Sequence, residues 1–415
     1  MRDAAAVALE AARMGFGKNH NTTARITHTL ASAYGFMGNP TAKMQLLLYA
    51  VRLYGGTQKG GDYMMTLRAM QDYANTIGDL GNLEQKAKIL QGILAEASKC
   101  CGKNSELTAK VLSDLATTVG GLGDIKQQVA LLERSLEVQT SKEYKHDSVL
   151  LAGTLGNLAC AYGRTGDFTK KVKLLQKAYS IETSLSSNGD NFRLALILSN
   201  LGNAYRDLGD NAKSKDALER AVKIKENNFG KNHFELAKTL TNLALTYEAL
   251  GESKMQVKLM ERALYVTEKQ FGSAHPLLID YLTFLGNAYT NNGCLEGGKA
   301  LLERALAIQE HTFGKDDNDL VKTLSHIADV DMEMRNHKDA KAVLVRAQAI
   351  LRLHGDSDEE TVDFVRNYLV EVEKHLRRAQ CSTPPKLHFH PHWDEDYDDY
   401  DDNIDDDDNE EEEDE

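Results

Sequence analysis

Leu201-Gly202-Asn203-Ala204-Tyr205, closed by Gly209, decides the fold, because the same pattern runs through most of the chain. Residues equivalent to Leu201 stand at Leu30, Tyr73, Leu115, Leu158, Leu243, Leu285 and Ile327, at spacings of 42 or 43. A small residue follows each: Ala31, Ala74, Ala116, Ala159, Gly202, Ala244, Gly286 and Ala328. An aromatic comes four residues after the anchor at Tyr34, Tyr162, Tyr205, Tyr247 and Tyr289. A glycine comes eight after it at Gly38, Gly81, Gly123, Gly166, Gly209, Gly251 and Gly293. A fixed period of this length signals stacked supersecondary units, each burying its apolar face only against its neighbours.

Each unit reads as helix, turn, helix. Leu201, Gly202 and Tyr205 share one face of a 3.6-residue helix. Gly209 ends that helix because glycine adopts the left-handed conformation cheaply. The second helix carries Ala217, Leu218, Ala221, Val222 and Ile224, spaced to pack back on the first. A second glycine turn follows at Phe229-Gly230-Lys231-Asn232-His233, echoed at Phe16-Gly17, Phe271-Gly272 and Phe313-Gly314. The small residue after the anchor lets the two helices approach, and the aromatic fills space one turn on.

Composition agrees. Five prolines in 415 residues, and Ala/Leu/Glu/Lys-rich units, indicate an all-α array. No apolar run approaches the ~18 residues of a membrane-spanning helix. Five cysteines without a CxxC pair (Cys100, Cys101, Cys160, Cys294, Cys381) fit reduced thiols and a cytoplasmic setting. The net charge of −13 hides two pieces. Residues 394–415 hold 17 acidic residues and no Lys or Arg, which leaves 49 basic against 45 acidic in the rest.

The motif Leu-Gly-x-x-Tyr, a glycine four later, and Ala50, Ala178, Ala221, Ala263, Ala305 and Ala347 in the second helix resemble the tetratricopeptide repeat (TPR). The period exceeds the usual 34 residues by about one turn on each helix. Long units such as LERALAIQEHTFGKDDNDLVKTLSHIA resemble those of kinesin light chains and nephrocystin-type proteins, over residues 4 to 353. The resemblance implies a right-handed TPR superhelical solenoid whose first helices line a concave groove for a peptide or partner protein.

Eight units are expected within residues 1–353, with a partial helix at 4–14 where Ala8-Leu9-Glu10-Ala11-Ala12 reads as the second helix of a preceding unit. The unit at Ile327 reads as degenerate. Small residues are expected five after the turn glycine. Gly298 and Ala340 comply, whereas Lys43, Lys86, Gln128, Lys171 and Gln256 do not, so the helix pairs there are expected to rotate. A capping helix is expected over 357–379, opened by Ser357 and Glu360 and apolar at Val362, Val365, Leu369, Val372 and Leu376. Residues 380–415 lack the composition to build a core and read as a disordered linker and acidic tail.

Candidate ligand residues follow from offsets in the repeat. Five before the anchor stand Arg25, Arg68, Lys110, Lys238 and Lys322; one before it, Asn157, Asn200 and Asn242; two after it, Asn75, Asn203 and Asn287. These offsets are spaced i, i+4, i+7, a single stripe opposite the packing face. Asparagine is a poor interior helix residue, and its amide can pair with both the N–H and the C=O of an extended peptide. A chaperone-type carboxylate clamp is not expected, since Asp280 and Phe284 occupy the places that would need Lys or Arg.

No Ser/His/Asp or Cys/His set is placed by the repeat, and Gly55-Gly56-Thr57-Gln58-Lys59-Gly60-Gly61 lacks the lysine position and preceding strand of a phosphate loop. His388, His390 and His392 alternate but sit in the linker. The sequence therefore reads as a non-enzymatic scaffold or adaptor with no cofactor, metal, nucleic-acid partner or membrane insertion. One alternative is a sensor whose groove holds its own tail through Trp393, Asp394, Glu395 and Asp396. Another is an acidic-tail chaperone for basic proteins such as histones.

Overall fold

The computed structural model describes residues 2–17, 20–56, 62–100, 102–141, 147–185, 192–355 and 359–381, and these are helical with no strand. A leading helix α1 (Arg2–Phe16) is followed by eight helix pairs. They are α2 (Asn21–Phe36) with α3 (Pro40–Gly56), α4 (Tyr63–Asp79) with α5 (Leu83–Cys100), α6 (Glu106–Gly121) with α7 (Ile125–Thr140), and α8 (Ser148–Arg164) with α9 (Phe168–Leu185). Next come α10 (Phe192–Asp207) with α11 (Asn211–Phe229), α12 (Ala237–Ala249) with α13 (Ser253–Phe271), α14 (Leu278–Asn291) with α15 (Leu295–Phe313), and α16 (Leu320–Glu333) with α17 (His337–Leu353). The last described helix is α18 (Glu359–Cys381).

The core is a ladder built from two positions per unit. The small residue after the anchor is fully buried wherever it is alanine, from Ala31 to Ala328. Sixteen residues on, the second helix sets a large apolar side chain against it: Leu47, Leu90, Leu132, Leu175, Leu218, Met260, Leu302 and Leu344, all 0–1 % exposed. Where the small residue is glycine the fit is tighter. A Cβ at Gly202 would stand 2.4 Å from Leu218 Cγ, and one at Gly286 2.9 Å from Leu302 Cγ. The unit at Ile327 is not degenerate: Ile327, Ala328, Leu344 and Ala347 are buried as in the others, and α16–α17 is a complete pair.

At four of the five long residues in the small-residue position, Lys43, Lys86, Gln128 and Lys171, the first helix supplies a glycine. Each of these long side chains crosses a glycine eight residues earlier on the first helix: Gly35, Gly78, Gly120 and Gly163. A Cβ on any of the four glycines would lie within 3 Å of the crossing side chain. Room is made on the first helix instead of the second at these four positions, whereas Glu248 stands eight residues before Gln256. In the later units the exchange reverses, with Thr290 against Gly298.

The intra-unit turn repeats with its hydrogen bonds. After α10, Gly209 sits at φ 79°, Asp210 N–H bonds Tyr205 O at 2.8 Å, and Asp210 then caps α11 by accepting from Lys213 N–H. In the eighth unit Arg335 replaces the glycine and still adopts φ 61°, at a cost of roughly 1–2 kcal/mol. Between units, Phe-Gly-x-x-His turns stack Phe229 on His233 (4.9 Å between ring centres), and His233 Nδ1 caps the next segment by accepting from Glu235 N–H. Beyond α17, α18 buries Val365 and Val372 on the last unit, with Val362, Leu369 and Leu376 partly covered. The residues around Ser357, and the tail with its histidines and Trp393, lie outside the described residues.

Candidate functional site

First helices of successive units touch one another, α4 with α6, α6 with α8, α10 with α12 and α14 with α16, while no pair of second helices is in comparable contact. Like helices approach more closely on the inside of a curved stack, so the first helices form the inner wall. Polar bonds run along it. His28 Nε2 pairs with Asp72 Oδ2 at 2.6 Å, and Gln71 Nε2 donates to Asp114 Oδ2 at 2.7 Å. Arg164 Nη1 reaches Gly120 O, and Arg206 Nη1 reaches Asn242 O at 3.1 Å.

The sequence-derived stripe lies on this wall, but its members differ in occupation. Asn75 Nδ2 is bound to Asp114 Oδ2 at 3.1 Å. Arg68 and Lys110 share the Glu106 carboxylate at 3.8 and 2.5 Å, an exposed arrangement of little net strength. By contrast, the side chains of Arg25, Asn157, Asn200, Lys238, Asn242, Asn287 and Lys322 have no hydrogen-bond or ion-pair partner among the described residues. Asn203 Oδ1 is buried and likewise unpartnered. The structure thus separates a structural polar seam in the second and third units from a free amide-rich stretch in the fourth to seventh.

The repeated tyrosine does more than fill space. Its hydroxyl bonds the second helix of the preceding unit: Tyr162 to Glu133 (2.5 Å), Tyr205 with Gln176 (3.0 Å), Tyr247 to Glu219 (2.7 Å) and Tyr289 to Glu261 (2.6 Å). The bond to the Glu261 carboxylate, with partial burial, pushes Tyr289 up to about 12. A raised acid pKa stabilises the fold fully below the unfolded value near 10 and loses that contribution as pH climbs through the folded value. Ultraviolet titration should therefore show a tyrosine ionising near pH 12 that is absent in Tyr289→Phe. An unchanged titration curve would disprove the link.

Two clefts accompany the wall. On the outer face, between α7 and α9, about 810 Å³ opens over Leu136, Leu155, Leu174 and Ile181. The equivalent places downstream are bridged by Arg262 to Glu226, Arg304 to Glu268 and Arg346 to Glu310. On the inner face a cleft of about 430 Å³ lies between α14 and α16, bordered by Asp280, Phe284, Lys322 and His326 and floored by Gln309. Asp280 and Phe284, which stand at the places a carboxylate clamp would fill with Lys or Arg, here form one side of that cleft. Among the described residues no group of His, Cys, Asp and Glu is placed to hold a metal, and no helix is long and apolar enough to cross a membrane.

Two family profiles, both described as tetratricopeptide repeat, match residues 193–255 and residues 151–186, 236–277 and 278–319. Among curated proteins none matches the sequence. Among solved structures, the apo form of RapI is similar at 14 % identity over 69 % of this chain and 97 % of that one, TM-score 0.52. A Rap protein complexed with Competence and Sporulation Factor is similar at 13 % over 86 % of this chain and 99 % of that one, TM-score 0.52. The nearly identical TPR-like repeats of a Podosopora anserina protein assigned as a kinesin light chain show 23 % identity over 51 % of this chain and all of that one, TM-score 0.47. With eight stacked helix pairs, a small residue at every crossing and these profile matches, the chain is a helical solenoid whose residues 151–186 and 193–319 are tetratricopeptide repeats.

Proposed function

We propose that this protein is a non-enzymatic interaction scaffold whose inner wall holds an extended peptide of a partner protein. The observation that carries the reading is the run of unpartnered amides at Asn157, Asn200, Asn203, Asn242 and Asn287 along consecutive first helices. A carboxamide offers both donor and acceptor, the combination an extended backbone needs once its own strand partners are missing. Lys238 within the run on α12, Lys322 just beyond it on α16 and, farther along the wall, Arg25 on α2 supply charge steering. No hydrogen bond within the described residues requires asparagine at these exposed or half-buried helix positions, where it lowers helix propensity.

That last point gives a test with opposite signs. Changing Asn157, Asn200 and Asn242 together to alanine should raise stability by roughly 1–2 kcal/mol through helix propensity. The same change should weaken binding of peptides selected from a random dodecapeptide library at least tenfold. Stability and affinity would be read by urea denaturation and fluorescence anisotropy. Unchanged affinity, or a library that yields no selected peptide, would refute the reading.

A further inference from the structure

The inner cleft between the seventh and eighth units has a chemistry unlike the rest of the wall. Gln309 forms its floor, is only 6 % exposed, and its Oε1 is buried with no partner among the described residues. Gln139, at the same place in the third unit, donates to Ser135 Oγ at 3.0 Å and Thr154 Oγ1 at 2.8 Å, and its own Oε1 is likewise buried without a partner among the described residues; Gln309 differs in lining this cleft. Buried polar groups are normally satisfied, and a donor entering this cleft would satisfy the orphan oxygen of Gln309. The orphan is an acceptor. Around it stand two further acceptors, the carboxylates of Asp280 in the first turn of α14 and Asp319 at the start of α16. Neither makes a hydrogen bond or ion pair through its side chain among the described residues, and Asp319 does not cap its helix. Phe284 and Phe313 border the same cleft and leave 40 % and 50 % of their surface exposed. Lys322 is the one ammonium on the rim, so the cleft is net acidic.

One buried, unpartnered amide oxygen and two solvent-exposed carboxylates beside two exposed rings suit a flat, cationic ligand that only donates. The guanidinium fits: five N–H donors, no acceptor, and faces that stack on aromatic rings. We propose that this cleft receives an arginine side chain of the bound peptide, fixing its register at the seventh and eighth units. The inference rests on the peptide-groove reading and adds a specificity that the amide run, which bonds backbone, does not supply. An ammonium is compact and fills neither the fork nor the stacking geometry, so lysine should substitute poorly.

The test uses the full chain and random dodecapeptides displayed on phage. Wild type should enrich arginine, and not lysine, at one position relative to the selected motif. The Asp280→Asn/Asp319→Asn protein should still select peptides but lose that enrichment. For a selected synthetic peptide, arginine to citrulline should weaken binding at least tenfold on wild type and less than twofold on the variant. The acidic tail is identical in both proteins, so attraction of arginine to it cancels. Gln309→Met, which keeps the volume and removes the amide, should reproduce part of the loss, with thermal melting confirming that both proteins are folded. Selection without arginine, equal enrichment of lysine, or the same citrulline penalty on the variant would overturn the arginine site while leaving the groove in place. No selection by either protein would overturn both.

Discussion

Replacing Gly202 by leucine is expected to destabilise the fifth unit by about 1–3 kcal/mol, through overpacking at the point where α10 crosses α11. Even a single Cβ there would stand 2.4 Å from Leu218 Cγ, and Leu218 is fully buried with nowhere to retreat. The loss should be local, because each unit of a solenoid contacts only its neighbours. Hydrogen exchange should accelerate first in α10 and α11. Pairing the change with Leu218→Ala gives a check on mechanism. The second substitution alone should cost roughly 2–5 kcal/mol by leaving a cavity, but together the two should cost clearly less than their sum. Additive costs would mean that the two side chains do not meet.

A larger effect is expected at the far end. Asp331 is completely buried, and its Oδ1 receives Lys299 Nζ at 2.6 Å, while Oδ2 has no partner among the described residues. Lys299→Met removes the cation and strands the carboxylate, which should cost roughly 3–5 kcal/mol. Lys299 itself is 21 % exposed, so its ammonium can reach water when the partner is lost. Asp331→Leu should therefore be milder, and Lys299→Met combined with Asp331→Leu should recover most of the stability of the original protein. Urea denaturation of the three variants decides this. If Lys299→Met proves neutral, the pair is not a buried ion pair in solution.

What the sequence made legible was whatever obeys one period. The anchor, the small residue after it and the turn glycine all recur at fixed offsets, so the stack of eight helix pairs could be read from them. Pairs that exchange roles between units were not visible in the same way. Gly35, Gly78, Gly120 and Gly163 compensate for Lys43, Lys86, Gln128 and Lys171, and seeing this requires reading two positions eight residues apart together. The tyrosine hydroxyls were missed because their partners stand in the preceding unit, although Glu133, Gln176, Glu219 and Glu261 do recur 28 or 29 residues before each tyrosine. On the inner wall, offsets placed the stripe but could not tell Asn75, bound across units to Asp114, from Asn157, which is free. Gln309 carried no signal at all, since its isolation depends on what the adjoining unit fails to offer.

The central claim is that the inner wall is the working surface. A library-selected peptide carrying a photoreactive benzophenone, irradiated on the full chain and mapped by mass spectrometry, tests it directly. Adducts are expected on the first helices α8, α10, α12 and α14. Adducts confined to the second helices α7, α9, α11 and α13, where the outer cleft over Leu136 and Leu174 opens, would contradict it.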